Sequence, residues 1–329
     1  MPRLAPSRCL AALTLLLASA TVLAQPDSAT TGFDCRQLAD APSSDTTPRD
    51  WLERSLWASH CYQFQARAVR ISGAGVRTLA LSHEIRDGTE HEVASYLDGP
   101  PVVYRRQGRV GRDDLSGAIG SGRTSPAAIM ARLDAHYRFS VDGESRIAGR
   151  NVVRLDVAPL DNLRYGHRLW LDRETGLPLK QVLIGLDGRV LETFQMTELG
   201  QPRLYERAVA FEPADDPPPG LWRPGWLPAG YRPLSLPDGH GVEAEPLSQR
   251  LYSDGLSSFS LFIEPLRGPD AALRPGLHRL GISHAAVRHV RLDDRVFQIV
   301  VVGEVPPLVL ARVADRVDYR PAASKTASP

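Results

Sequence analysis

Four stretches between residues 149 and 199, NVVRLDVA, HRLWLD, LKQVLIGL and RVLETFQM, follow one another with mostly short connections, and nothing else in the chain restricts the fold as much. Around HRLWLD, Tyr165, His167, Leu169 and Leu171 alternate with Gly166, Arg168 and Trp170. A period of two is the period of a strand. Asp187-Gly188 separates the last two stretches as a hairpin turn, and ETGLP at 174–178 turns HRLWLD into its successor. Strands joined this directly form an antiparallel meander, not alternating strand and helix units. Because HRLWLD is apolar on both sides, its sheet needs cover from a helix, a second domain or a bound apolar ligand.

Upstream, Thr47 caps a helix opened by Pro48, with Trp51, Leu52, Leu56 and Trp57 at helical spacing. From Tyr62 the period becomes two, with Tyr62, Phe64, Ala66 and Ala68 on one face and Gln63, Gln65 and Arg67 on the other. VRTLALSHEI, HEVASYL and VVYRRQ continue the strands, and a helix capped by Ser125 and opened by Pro126 places Ile129, Leu133 and Tyr137 on one side. The Pro-rich run EPADDPPPGLWRPGWLP then breaks the chain. Beyond it, SQRLYSDG, SSFSLFIEPL, HAAVRHVRL and VFQIVVVGEV read as strands, closed by a helix from Pro306-Pro307 carrying Leu308, Val309, Arg312, Val313 and Val317.

Residues 1–24, a basic start followed by CLAALTLLLASATVLA, read as a signal peptide cleaved after Ala24, which implies an exported, periplasmic chain. The organisation expected is a loosely ordered arm at 25–46, a large domain at 47–212, a linker at 213–227, a small α/β domain at 228–320 and a disordered tail at 321–329. The fold class is α+β, mainly β. With 39 basic and 38 acidic residues, no overall field favours nucleic acid. Cys9 leaves with the signal; Cys35 and Cys61 are either bridged, as an oxidising compartment allows, or two free buried thiols.

No motif commits the chain to catalysis, a cofactor or a metal. GAIGSGRT at 117–124 imitates a phosphate loop, but Arg123 stands where the lysine belongs and no apolar strand precedes it. His83 and His91, near Glu84, Glu90 and Glu92, lack metal-ligand spacing and read as polar surface positions on strands. Segment 271–292 carries Arg274, Arg279, Arg288 and Arg291 with His278, His284 and His289 and not one acid. It either grips phosphate or carboxylate groups, with histidines that respond to pH, or is a solvated strand face.

Residues 149–199, with GWLPAGY at 225–231, RLYSDGLSSFSLFIEPL at 250–266 and VVVGEVPPLVLARVADRV at 300–317, resemble the RseB/MucB family of periplasmic regulators of the envelope-stress sigma factor. The likeness spans about residues 48–318. It departs at the first strand, where CYQFQ at 61–65 replaces the Asn-Tyr-Glu-Gly that relatives tend to show. The resemblance implies a large antiparallel half-barrel like that of the lipoprotein carriers LolA and LolB, with covering helices, joined to a smaller sheet-and-helix domain. It implies no chemistry. Its expected partner is the periplasmic domain of a RseA/MucA-like membrane-spanning anti-sigma factor, shielded from the site-1 protease and released by lipopolysaccharide or a lipoprotein acyl chain; a homodimer stays open. On position alone, Tyr252, Phe259, Phe262, Arg279 and Arg288 are expected at the partner, and Tyr62, Phe64, Leu169 and Leu171 in the cavity. The alternative is a lipid or lipoprotein carrier.

Overall fold

The computed structural model describes residues 31–40, 42, 45–86, 89–100, 102–107, 126–211, 220–234, 248–268 and 272–320. The signal segment, the GAIGSGRT run, Ser125, residue 212, residues 213–219 of the linker and the tail at 321–329 lie outside them.

Order begins earlier than the period-two pattern suggests. In place of a loosely ordered arm, β1 (Thr31–Asp34) is followed by a 3-10 turn at Cys35–Leu38, tied to the rest by a Cys35–Cys61 disulfide with Cα atoms 5.4 Å apart. The anchoring rests on few residues besides the disulfide: Cys35 and Leu38 are buried, and the Phe33 ring stacks on Trp57 at 3.8 Å. The helix α1 (Pro48–Cys61) starts on a capping box: the Asp50 amide donates to the Thr47 hydroxyl, and the Thr47 amide to the Asp50 carboxylate. One side of α1 turns Trp51, Leu52 and Leu56 toward one apolar cluster; the other turns Trp57, Ala58 and Cys61 toward a second.

The large sheet holds β2 (Tyr62–Ser72), β3 (Gly75–Arg86), β4 (Thr89–Tyr96), β5 (Val103–Gln107), β6 (Tyr137–Ile147), β7 (Arg150–Pro159), β8 (Gly166–Asp172), β9 (Pro178–Ile184) and β10 (Val190–Leu199). Their order is β5-β4-β3-β2-β10-β9-β8-β7-β6, with a short β11 (Arg203–Leu204) beside β2, and every pairing is antiparallel. Two meanders are thus zipped along β2 and β10. A further strand, β12 (Ala208–Phe211), pairs with β1. The helix α2 (Pro126–Leu133) buries Ile129, Met130 and Leu133, but Tyr137 opens β6 instead of extending the helix.

In the second unit β13 (Trp222–Pro224) pairs with β20 (Val317–Tyr319), which holds the two ends of the unit together. Between them, β14 (Arg232–Leu234), β15 (Ser248–Ser253), β16 (Ser258–Pro265), β17 (Gly276–Leu280), β18 (Ser283–Leu292) and β19 (Arg295–Gly303) form a sheet of order β14-β15-β16-β19-β18-β17. The helix α3 (Pro307–Asp315) packs Val309, Leu310 and Val313 onto Leu261, Ile263, Ile299 and Val301. Leu308 is exposed, and Val317 belongs to β20 instead of the helix.

Candidate ligand pocket and domain junction

A small apolar pocket of about 80 Å3 opens on the sheet beside α1. Phe64 of β2, Leu81 of β3, Ala94 of β4, Leu177, and Phe194 and Met196 of β10 supply its apolar lining. Ser59, His83, Glu92 and Gln181 are its polar points. Strand alternation places these side chains: Phe64 lies across from His83 and Phe194 from Gln181 in the ladder.

Behind the pocket's lining residue His83 lies a buried polar cluster. His60 Nδ1, on α1, lies 2.7 Å from Glu90 Oε1, and His83 Nε2 lies 3.7 Å from Glu90 Oε2. His83 Nδ1 donates to the Tyr62 carbonyl at 2.6 Å, which fixes the tautomer of the neutral ring. Burial alone would push the His83 imidazole down. The Glu90 carboxylate, the charge of Glu92 and the Tyr62 carbonyl outweigh it and hold His83 above the usual histidine range. His83 and Glu90 are therefore interior groups, not the surface positions their polarity suggests. Among the described residues, no three His, Cys, Asp or Glu side chains converge as metal ligands.

A second constellation joins the two units. Arg164, in the loop before β8, is fully buried and donates to Asp254 Oδ2 at 3.0 Å, to the Ala229 carbonyl at 2.7 Å and to Asp161 Oδ1 at 3.1 Å. Tyr137 donates to the same Asp254 oxygen at 2.9 Å, and the guanidinium lies 5.5 Å from the rings of both Tyr137 and Tyr231. Burial holds the Tyr137 phenol well above its ordinary range, so it remains a donor. Asp254 Oδ1 accepts from the amides of Leu256 and Ser257, both at 2.9 Å. A looser tie runs from Arg70 to Glu304 at 3.9 Å.

The structure distributes the positional candidates unevenly. Phe64 lines the pocket, whereas Leu169 and Leu171 are core beneath α1 and α2, and Tyr62 is buried with its hydroxyl donating to the Leu38 carbonyl at 3.4 Å. Tyr252 and Phe259 are buried. Their rings stack 5.3 Å apart inside the small unit. Arg288 spends its guanidinium on the Ala314 and Asp315 carbonyls at 3.2 and 2.8 Å, the open end of α3. Phe262, alternating with core Leu261 and Ile263, is half-buried on the sheet face away from α3; Arg279 is exposed and reaches Gly73 in the β2–β3 turn. Sequence reasoning missed His60 and Asp254, the partner of Arg164. Only Asp254 carried a local signal, as the Asp-Gly of a hairpin turn.

Comparison with known proteins follows this architecture along its length. The model of the MucB/RseB N-terminal domain matches residues 47–212, and that of the MucB/RseB C-terminal domain matches residues 216–318. The sigma factor AlgU regulatory protein MucB of Pseudomonas aeruginosa is 34% identical over 293 residues, covering 84% of this chain and 92% of the relative. The complex structure of Pseudomonas aeruginosa MucA/MucB aligns with a TM-score of 0.62 at 31% identity, over 84% of this chain and 99% of that one. A crystal structure of MucB in complex with MucA(peri) gives 0.63 at 32% identity over the same shares. The chain belongs to the MucB/RseB family.

Proposed function

We propose that this chain is a regulatory binding protein of the exported compartment: it holds the periplasmic segment of a membrane-spanning anti-sigma factor and shields it from the first proteolytic cut. The observation that carries this reading is the two-domain match, over 84% of the chain, to a MucB crystallised with MucA(peri). In the same reading the large sheet is a half-barrel of the LolA/LolB kind, and its apolar pocket takes an acyl chain or similar amphiphile whose binding releases the partner. The pocket's apolar lining with a few polar points suits such a ligand. Release then follows from linkage: the ligand frees the partner only by binding the free protein more tightly than the complex.

The test is calorimetric titration of the purified chain with the MucA periplasmic segment, followed by protease digestion of that segment with and without the chain. Saturable binding with slower cleavage is expected. Absence of binding across a salt series overturns the reading, and recovery of bulk acylated proteins from envelope extract in place of a single-span partner favours a carrier.

A further inference from the structure

The small domain ends one of its hairpins inside the large one. Leu256, between β15 and β16, is 0% exposed and lies in the cluster built by Trp51, Leu52 and Leu56 of α1, Ile129 and Met130 of α2, and the strands β6 to β8. Among the described residues it is that cluster's one member from beyond the linker. The turn is shaped for the visit. Gly255 has φ +107°, and a Cβ there would meet Ile129 Cγ2 at 2.9 Å, so the backbone approaches α2 only because it carries no side chain.

The turn does not depend on the large domain for its shape. Asp254 Oδ1 accepts from the amides of Leu256 and Ser257, Ser253 Oγ donates to the Ser257 carbonyl at 2.9 Å, and the Gly255 amide donates to Ser253 Oγ at 2.9 Å. What ties it across the junction is the burial of Leu256, the contact of Gly255 with Ile129, and Asp254 Oδ2 held by Tyr137 and Arg164. If the turn leaves, Asp254 regains water and Arg164 retains Asp161, so neither charge is stranded in an apolar interior. The place it vacates is bounded by aliphatic and aromatic side chains, with the Tyr137 hydroxyl and the Arg164 guanidinium where Asp254 was held. Such a place accepts an aliphatic chain with an acidic or polar head.

We infer that the Ser253–Ser257 turn is a displaceable plug in an aliphatic-chain site of the large domain, so that occupancy of that site and docking of the small domain exclude one another. The inference rests on the reading that the large domain takes an aliphatic ligand, and it supplies the regulation of that ligand. The same helix α1 walls the open pocket through Ser59 and the plugged site through Leu52 and Leu56. Coupling is therefore direct competition and needs no relay of small shifts. By reciprocity, whatever holds the small domain docked lowers affinity for the chain, and the chain loosens the small domain by the same factor.

The test titrates the full two-domain chain with 11-(dansylamino)undecanoic acid, following dansyl fluorescence, for the parent, Leu256→Ala, Asp254→Asn and Phe64→Ala. Leu256→Ala is expected to tighten probe binding at least fivefold, and Asp254→Asn, which keeps the leucine and weakens the clasp, by a smaller factor. Saturating the parent with probe is expected to raise its radius of gyration in small-angle scattering. Equal affinity of the parent and both plug variants overturns the inference, as does saturation without expansion. Binding weakened by Phe64→Ala yet indifferent to Leu256→Ala removes the plug and leaves the ligand reading standing. Failure of every variant to bind the probe removes both. Should Leu256→Ala fold poorly by circular dichroism, Asp254→Asn carries the comparison.

Discussion

Replacing Arg164 with Met tests whether the junction is a clasp or an incidental contact. Both Arg164 and Asp254 have fully buried side chains, and removing one partner of a buried pair costs roughly 3–5 kcal/mol because the other charge is left behind. Here the stranded carboxylate retains the Tyr137 hydroxyl, two backbone amides and the Ser257 hydroxyl, which puts the cost at the lower end, about 3 kcal/mol. With a urea slope of about 2 kcal/mol/M, the midpoint of the transition that includes the junction falls by about 1.5 M. The assay is urea unfolding read separately in each unit, through Trp170 in the large sheet and Trp222 in β13 of the small unit, with the other tryptophans replaced by Phe. Coincident transitions are expected for the parent and separated ones for Arg164→Met, the small unit parting first. Adding Asp254→Asn to Arg164→Met should cost less than the two single changes together, by about 2 kcal/mol, since the pair shares one interaction. A midpoint shift under 0.3 M, about 0.6 kcal/mol on that slope, with transitions still coincident, would refute the reasoning.

Other consequences follow from the same geometry. Converting Cys35 and Cys61 together to Ser opens a 26-residue loop and is expected to cost about 3.5 kcal/mol in the chain-entropy model; a urea midpoint within 0.5 M of the parent contradicts it. His83 sits above its unfolded value, so its contribution to stability is complete below about pH 6.5 and fades as pH rises through the folded value. Unfolding free energy of the parent should accordingly decline more steeply than that of His83→Gln above that pH, and parallel pH profiles would contradict the assignment. Arg288→Ala removes the donor to the end of α3 and should cost about 1 kcal/mol of stability without altering affinity for the MucA periplasmic segment. Arg279→Ala should leave stability unchanged while weakening that affinity and flattening its salt dependence. Reversal of those two phenotypes would move the partner surface onto α3.

What could be read in the chain beforehand follows from the range of the forces involved. The capping box at Thr47 and Asp50, the Asp187-Gly188 turn and the alternation through Leu169 and Leu171 all act within a few residues. Local physics therefore places them, and the meander follows from their order. RYGHRLWLDRETGLP shows where that legibility stops. Asp172 organises its own turn by accepting from the Thr175 amide and hydroxyl, a short-range role its spacing announces. Arg164, eight residues earlier in the same stretch, finds Asp254 ninety residues away. Nothing in its surroundings distinguishes it from the exposed Arg189. The buried cluster beside the pocket is hidden likewise, since His60, His83 and Glu90 come from a helix and two strands that meet only when the sheet closes against α1. Even the aromatic residues mislead at this range: Tyr252 and Phe259 have the composition of an interface, and burial against each other turns the same chemistry inward. The residues that join the two domains and form the buried cluster are thus the ones local pattern describes least, because each owes its position to a partner from another part of the chain.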